Sequence, residues 1–446
     1  MRLHFSLAIL IALIFSTLSP DLKNAGACEG LSPASSTPTY NLGLKYFRAE
    51  RYAKAAKFLE RSLNQDSTPS AARYYLAQTY NYLDSPNAAL RVYADFIVTS
   101  PEDSLVDAAL FEMGKIYKRL GYPDYALQVW QNLISYHPGS EYLTETLWNA
   151  ANLYYKSGNY QAAYESFKQS QEGSDRRLYW AAKCADKLGL TEEALTGYDS
   201  VITRFDHSYY AYRSREALQA LGYEYVSSPE VAATTEIAPE SVSSNVSLAE
   251  LKKHVEKGKF SKSINAAEKI IEKAKDDGLL AAVDSRLWKF SYPRGFWPYV
   301  EKYSKKYGLD PFLTYAVIRE ESRFRSQARS YANARGLMQI IPGTARAISH
   351  DLGLRYNRRK LYNPQVNIQM GAYFLSQLIK SFDGSLPLAL AAYNGGPNRV
   401  ARWLKNYGQN VDTDLFVEEI PFRETRNYVK KVMKSYHGYK RAYSDG

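Results

Sequence analysis

From Tyr40 to Phe205 the chain repeats a pattern in which a small residue is followed one helical turn later by a large one. The pairs are Ala55 and Leu59, Ala89 and Tyr93, Ala126 and Trp130, Ala163 and Phe167, and Ala194 and Tyr198. A small side chain lets two helices approach closely, and the large side chain fills the space beside it. The alanines recur about every 34 residues. Each unit is therefore predicted to be a helix pair that buries its apolar face by stacking on its neighbours.

The segment around Tyr160 carries this pattern most completely, because Gly158-Asn159 precedes it and Ala163 and Phe167 follow it. This spacing resembles the tetratricopeptide repeat, whose helix pairs stack into a solenoid with a concave face. Few runs alternate with a period of two, so the whole chain is predicted to be all-α. The concave face is interpreted either as a groove for a protein partner or as a support for a second domain, and both interpretations stay open.

The N-terminus has the pattern of an export signal. An apolar run from Phe5 to Leu18 is followed by Ala25-Gly26-Ala27. A short apolar core before Ala-x-Ala predicts a secretory signal peptide over residues 1–27 and export to the periplasm or cell envelope; the alternative is an uncleaved anchor.

Cys28 directly follows the predicted cleavage site, in the manner of a bacterial lipoprotein. Two alternatives are kept, a lipoprotein acylated at Cys28 and anchored to a membrane, or a plain secreted form. Cys184 lies in an apolar helical repeat and is predicted to be a buried core thiol. Nothing in the spacing supports a disulfide between the two cysteines.

A chain of 446 residues is too long for one typical core, so several domains are expected. The repeats are assigned to residues 36–225. Residues 226–247 are rich in Ser, Thr, Ala, Pro and Glu and are predicted to be a flexible linker, with a long ordered loop as the alternative. Residues 248–291 are predicted to form bridging helices, and residues 292–446 the last domain.

The last domain begins with a helix that ends in two glutamates. Asp310-Pro311 is a strong helix start, and residues 312–318 are almost wholly apolar, which predicts a helix buried on all sides. A carboxyl against apolar walls has a raised pKa, as a general acid near neutral pH requires. Periodicity does not choose between Glu320 and Glu321. The competing interpretation is a solvated or ion-paired glutamate, for which Arg319, Arg323 and Arg325 are the available partners.

Three further motifs follow Glu321-Ser322 in order. They are Gly336-Leu337-Met338-Gln339, the run Ala392-Tyr393-Asn394-Gly395-Gly396-Pro397, and a segment from Phe416 to Val429 that contains Glu418 and Glu424. Together the four resemble the goose-lysozyme-like catalytic domain of soluble lytic transglycosylases, which cut the glycan of bacterial peptidoglycan. The resemblance covers about the last third of the chain and implies a lysozyme-like α-helical domain there.

The resemblance also implies the site residues. Glu321, which precedes Ser as in the family, would be the single catalytic acid. Substrate contacts would come from Ser322, Ser330, Met338, Gln339, Tyr393, Asn394 and Glu424, with Glu418 in reserve to Glu424. The residues after Ser330 are Tyr331-Ala332-Asn333, where the commoner family wording is Pro-Val-Gly. No cofactor and no metal are expected, and the six histidines show no metal-ligand spacing.

The net charge of +11 favours an anionic partner. Peptidoglycan, an anionic lipid surface and nucleic acid all qualify, but no nucleic-acid-binding signature is present, so nucleic acid is the weakest alternative. The implied reaction cuts the bond between N-acetylmuramic acid and N-acetylglucosamine without water and leaves 1,6-anhydromuramoyl ends. The alternatives are a muramidase that hydrolyses the same bond and a non-catalytic exported scaffold that binds peptidoglycan.

Overall fold

The computed structural model describes residues 37–65, 68–170, 173–223, 247–277, 283–405 and 412–443. The predicted signal peptide, Cys28 and almost all of the predicted linker lie outside these residues. Within them the regular structure is helical, and extended pairing is limited to isolated bridges that join Arg335 to Arg329 and to Ile340. The all-α prediction is confirmed. The chain forms two compact units that divide between Gly197 and Tyr198.

The N-terminal unit is a succession of helices joined by short turns. Its helices are α1 (Pro38–Arg48), α2 (Tyr52–Leu63), α3 (Ala71–Tyr82), α4 (Pro86–Thr99), α5 (Val106–Arg119), α6 (Pro123–Tyr136), α7 (Leu143–Lys156), α8 (Tyr160–Gln169) and α9 (Asp175–Lys187), and α10 (Thr191–Phe205) contains the division between the units. Helices α1 to α8 pack as successive pairs. All ten residues of the small-and-large pattern are buried.

Trp130 shows why the pattern requires small residues opposite the large ones. Its indole is fully buried, and its ring N–H donates a hydrogen bond of 3.2 Å to the carbonyl oxygen of Phe111. The ring lies against Gly114 so closely that a Cβ there would come within 2.1 Å of the indole nitrogen. Because two helices approach at this glycine, the aromatic ring occupies the volume that a side chain on the facing helix would need.

Among the described residues, the C-terminal unit holds the second part of α10 and twelve further helices. These are α11 (Tyr209–Ala220), α12 (Leu248–Glu256), α13 (Phe260–Asp276), α14 (Ser285–Ser291), α15 (Trp297–Tyr307), α16 (Pro311–Ser322), α17 (Pro342–Asp351), α18 (Pro364–Ser381), α19 (Leu386–Gly395), α20 (Pro397–Leu404), α21 (Thr413–Glu419) and α22 (Arg423–Ala442), with a 3₁₀ turn at Arg358–Tyr362. Among the described residues, none of the helices combines the length and apolarity needed to cross a bilayer.

Helix α11 packs within the C-terminal unit, although the prediction assigned residues up to 225 to the repeats. The ring of Tyr212 stacks on His437 of α22 with centroids 4.1 Å apart, and Arg213 pairs with Asp414 at 2.6 Å. The predicted domain boundaries stay predictions, and the structure adds that the division into compact units falls earlier in the chain, after Gly197.

Helix α16 lies at the centre of the C-terminal unit, where it packs on α15 and α22. It begins as its sequence predicts, because the Asp310 carboxylate accepts a hydrogen bond of 2.8 Å from the Phe312 amide and Pro311 occupies the first turn. Residues 313–319 are all buried. The long apolar stretch is therefore in the core, and the polar residues at its C-terminal end reach the candidate site.

Candidate active site

Glu321 occupies the last turn of α16, where the helix is stopped by two residues in the left-handed conformation. Arg323 has φ of 48° and Phe324 has φ of 62°. Phe324 is buried against Tyr315 and Phe260, which fixes this turn. The C-terminal end of a helix carries partial negative charge, so it disfavours an ionised carboxylate there.

The environment keeps the Glu321 carboxyl neutral to an unusually high pH. Burial raises the pKa of Glu321 from 4.5 to about 7, interaction with the Tyr428 hydroxyl acts in the opposite direction, and the negative charges of Glu320 and Glu424 add to the rise. Part of the Glu321 side chain is still exposed. A carboxyl that is half protonated near pH 7 is suited to give and take a proton.

The neighbouring Glu320 has a different environment. Its Oε1 accepts hydrogen bonds from the Arg319 guanidinium and, at 2.6 Å, from the Ser435 hydroxyl. Glu320 is therefore engaged in an ion pair with Arg319 within α16 and in a hydrogen bond to α22, as the competing interpretation of a helix glutamate expected. The geometry separates two residues between which periodicity could not choose, and it leaves Glu321 as the candidate acid.

Two tyrosines, the half-buried Tyr393 and the buried Tyr428, lie near the Glu321 carboxyl. Burial and the negative charge of Glu321 raise the pKa of Tyr393 and that of Tyr428. Tyr393 lies near the end of α19 and donates a hydrogen bond of 2.8 Å to the carbonyl oxygen of Met338, so it also anchors the Gly-Leu-Met-Gln segment. Tyr428 was not singled out as a site residue from the sequence, although it belongs to the fourth motif.

The Gly-Leu-Met-Gln segment is held by Asn367, which the sequence did not identify. The Asn367 side chain is fully buried, accepts a hydrogen bond of 2.7 Å from the Met338 amide and donates bonds of 2.8 Å to the carbonyl oxygens of Arg335 and Leu361. Gly336 has φ of 77°, and a Cβ there would lie 2.2 Å from the Leu361 carbonyl oxygen. Glycine is required here for both its conformation and its size.

Two predicted substrate contacts are corrected by burial. The Met338 side chain is fully buried and packs against Gly371, where an added Cβ would lie 2.3 Å from the Met338 sulfur. Ser322 is 2% exposed, and its hydroxyl donates a bond of 3.1 Å to the Ile318 carbonyl oxygen. Neither side chain offers surface to a ligand. Met338 serves the site through its backbone, and the Ser322 hydroxyl bonds back within the last turn of α16.

Gln339 and Ser330 lie on the loop between α16 and α17. The Gln339 Nε2 donates to the carbonyl oxygens of Ala328 at 3.2 Å and Gly336 at 2.8 Å, so its amide protons brace the loop. Ser330 is exposed, and its hydroxyl accepts a bond of 3.1 Å from the Ala334 amide. Asn333, where the commoner wording has glycine, has φ of 66°, a conformation that asparagine tolerates better than most residues. The departure in sequence therefore preserves the turn.

Asn394 and Thr425, the neighbour of Glu424, join α19 to α22. The Asn394 side-chain oxygen accepts a bond of 2.7 Å from the Thr425 hydroxyl. Glu424 is exposed at the start of α22, and its charge contributes to the raised pKa of Glu321. The structure thus brings Glu321, Tyr393, Asn394 and Glu424 together.

Glu418 is not part of this group. Its side chain is 5% exposed, pairs with Lys430 at 2.7 Å and accepts a bond from the Tyr210 hydroxyl. The reserve prediction is corrected in this sense, because the carboxylate is used to join α11, α21 and α22. In the described part of the chain, no group of three or more His, Cys, Asp or Glu residues is placed to hold a metal ion.

Comparison with known families identifies two kinds of sequence in the chain. Residues 298–416 match the family described as transglycosylase SLT domain, and residues 108–140 and 178–208 match the tetratricopeptide repeat. The soluble lytic murein transglycosylase of Salmonella typhimurium is 34% identical over 171 residues, which are 37% of this chain and 26% of that protein. The membrane-bound lytic murein transglycosylase C of Glaesserella parasuis is 34% identical over 168 residues, 33% of this chain and 46% of that protein. The matched region thus spans about a quarter of the first relative's length.

Solved structures with a similar fold extend over more of the chain. An inactive mutant of the lytic transglycosylase Slt from Pseudomonas aeruginosa superimposes with a TM-score of 0.64 at 24% identity, over 90% of this chain and 72% of that one. The 70 kDa soluble lytic transglycosylase of Escherichia coli gives 0.63 at 19% identity, over 90% and 70%. At these identities the likeness establishes the fold. As its motifs predicted, the chain carries a transglycosylase SLT domain preceded by tetratricopeptide repeats.

Proposed function

We propose that this protein is an exported peptidoglycan lytic transglycosylase that cleaves the bond between N-acetylmuramic acid and N-acetylglucosamine without water. The observation that carries the proposal is the Glu321 carboxyl, whose pKa burial raises to about 7 and which lies near the hydroxyls of Tyr393 and Tyr428 on a partly exposed residue. The name of the relative as a lytic murein transglycosylase and the SLT-domain match over residues 298–416 support the same reaction and the same substrate. The predicted signal over residues 1–27 is consistent with a cell-wall substrate, and acylation of Cys28 and a protein partner in the repeat groove stay predictions.

In the proposed mechanism, Glu321 acts first as an acid and then as a base. Its proton passes to the oxygen between the two sugars, and the bond from that oxygen to C1 of the muramoyl residue breaks. The N-acetyl carbonyl of the muramoyl sugar assists from within the substrate. The Glu321 carboxylate then takes the proton of the C6 hydroxyl, and that oxygen bonds to C1. The products are a free N-acetylglucosamine end and a 1,6-anhydromuramoyl end, and Glu321 recovers its proton.

A muramidase is the second candidate, and the observation that favours it is Glu424. Glycosidases that use water generally have two carboxylates flanking the scissile bond. Glu424 is exposed and close enough to raise the pKa of Glu321, so it is a candidate for the second carboxylate. A non-catalytic scaffold is the third candidate, but it would have no use for a neutral carboxyl, which is an unfavourable state to maintain at neutral pH.

Digestion of purified sacculi with the full chain, followed by mass spectrometry of the released muropeptides, distinguishes the three. The transglycosylase gives anhydromuropeptides, the muramidase gives products heavier by one water, and the scaffold releases neither. Glu321→Gln should abolish release, whereas Glu272→Gln, an exposed carboxylate on α13, should not. Undiminished anhydromuropeptide release by Glu321→Gln would reject Glu321 as the acid.

A further inference from the structure

Glu268 connects a helix outside the recognised domain to the end of the helix that carries Glu321. It lies on α13, whereas the family match begins at residue 298 and the predicted catalytic domain at residue 292. Glu268 Oε1 accepts a hydrogen bond from Arg319, and Oε2 accepts one of 2.6 Å from Arg323. One carboxylate therefore holds two arginines that lie on either side of Glu321 in sequence.

Arg319 has a buried guanidinium that pairs with two carboxylates, Glu268 and Glu320. It is 7% exposed and stacks over the Tyr292 ring with its carbon 4.8 Å from the centroid. Its remaining hydrogen bonds go to the Ser291 carbonyl oxygen at 3.0 Å, to the Ser291 hydroxyl at 3.4 Å, to the Ser435 hydroxyl at 3.0 Å and to Glu320. A buried cation needs opposite charge close by. Glu268 is thus one of the two carboxylates that compensate Arg319.

Arg323 is the residue at which α16 ends, and its backbone has φ of 48°. A residue other than glycine persists in this conformation only where surrounding contacts enforce it. The guanidinium of Arg323 is held by Glu268 and by the side-chain oxygen of Asn265, both on α13. Helix α13 therefore contacts α16 at two positions that lie on either side of Glu321 in sequence, Arg319 and Arg323.

We propose that Glu268 is a positioning residue for the proposed reaction, which fixes the last turn of α16 so that the Glu321 carboxyl meets the glycosidic oxygen. This inference rests on the proposed function. On this proposal α13 contributes to the geometry of the active site, although that helix lies outside residues 298–416, which match the SLT domain. Catalysis is sensitive to such placement, since a displacement of about 1 Å costs about a hundredfold in rate.

The test compares four single variants of the full chain with the wild type on purified sacculi. Glu268→Gln keeps the shape of the side chain and removes its charge, so kcat should fall about tenfold with KM unchanged, because Glu268 does not touch the substrate. Arg323→Gln should lower kcat by a smaller factor, since Arg319 keeps its own contact with Glu268. Arg323→Lys retains a cation for Oε2 and should restore most of the rate. Glu272→Gln, one turn along α13 and exposed, is the matched control and should match the wild type.

A Glu268→Gln enzyme with kcat within twofold of wild type would overturn the inference, and so would equal losses in Arg323→Lys and Arg323→Gln. A rise in KM at constant kcat would also overturn it, because that result places Glu268 in substrate binding. Should Glu268→Gln not fold, the two Arg323 variants decide alone. An inactive wild type would reject the proposed function itself, whereas an active wild type with unaffected variants rejects only the role of Glu268.

Discussion

Replacing Glu321 by Gln should stabilise the C-terminal unit at pH 8 and leave its stability at pH 4 unchanged. Burial raises the pKa of Glu321 from 4.5 to about 7 in the folded protein. Below pH 4.5 the folded and unfolded chains are both protonated at this residue, so it has no effect on stability. Between pH 4.5 and 7 the unfolded chain loses its proton while the folded chain keeps it, and this difference destabilises the fold progressively.

The size of the effect follows from the same two pKa values. One pKa unit corresponds to about 1.4 kcal/mol, so the wild-type carboxyl destabilises the fold by about 3 kcal/mol above pH 7. Gln has the shape of the protonated acid and cannot ionise, so Glu321→Gln removes this cost. For a unit of this size each kcal/mol corresponds to about 2–4 °C in Tm, and Tm should therefore rise by roughly 6–12 °C at pH 8.

Thermal unfolding of the wild type and of Glu321→Gln at pH 4, 6 and 8 measures this directly. The gain in Tm should be absent at pH 4, partial at pH 6 and largest at pH 8. Glu272→Gln controls for the loss of a carboxylate at an exposed position and should show no such trend. Release of anhydromuropeptides should be lost in Glu321→Gln at every pH, and in the wild type it should decline as pH rises through about 7, because the acid must be protonated to act.

An equal gain in Tm at all three pH values would refute the reasoning, because it would come from packing and not from ionisation. No gain at pH 8 would mean that the wild-type carboxyl is already ionised there at little cost, and Glu321 would then not be a neutral acid at pH 7.

Three further outcomes are expected. Gly336→Ala should lower the free energy of unfolding by at least about 3 kcal/mol, because it combines a left-handed backbone with a clash against a carbonyl oxygen. Gly343→Ala in α17 is the control, since an added Cβ meets nothing within 4 Å there, and it should leave the free energy of unfolding unchanged or raise it by up to about 1 kcal/mol. Urea unfolding measures both variants. Trp130→Ala should cost about 3–5 kcal/mol in the N-terminal unit through the cavity it leaves, and an unchanged urea midpoint would contradict the packing described. A fragment beginning at Ser247 should be more stable and release anhydromuropeptides faster than one beginning at Tyr292, which lacks α13, and equal rates in the two fragments would show that α13 is dispensable.

Local patterns carried most of what could be predicted. The Ala55-to-Tyr198 series predicted helix pairs because small and large residues alternate at the helical period, and each of its members is buried. Asp310-Pro311 predicted the start of α16 because capping depends on neighbours in sequence. Each of these features is decided within a few residues, so the sequence is sufficient to find it.

Contacts between distant segments could not be predicted in this way. Asn367 is separated from Met338, whose amide it binds, by the whole of α17. Glu268 lies on a different helix from Arg319. No local sequence period links either pair. Met338 and Glu418 belong to recognisable motifs and were predicted to contact the substrate, but both side chains are buried in the tertiary structure. Partners of this kind are chosen by the packing of whole helices.

The pair Glu320 and Glu321 divides what the sequence determined from what it did not. By itself the sequence determined that an apolar helix ends in two carboxyls, that repeats precede it, and that the motifs of one enzyme family follow it. Which carboxyl would stay neutral depended on the tertiary structure. Neighbouring residues of a helix point about 100° apart, so the packing of α19 and α22 around α16 set Glu320 against Ser435 and set Glu321 near Tyr393 and Tyr428.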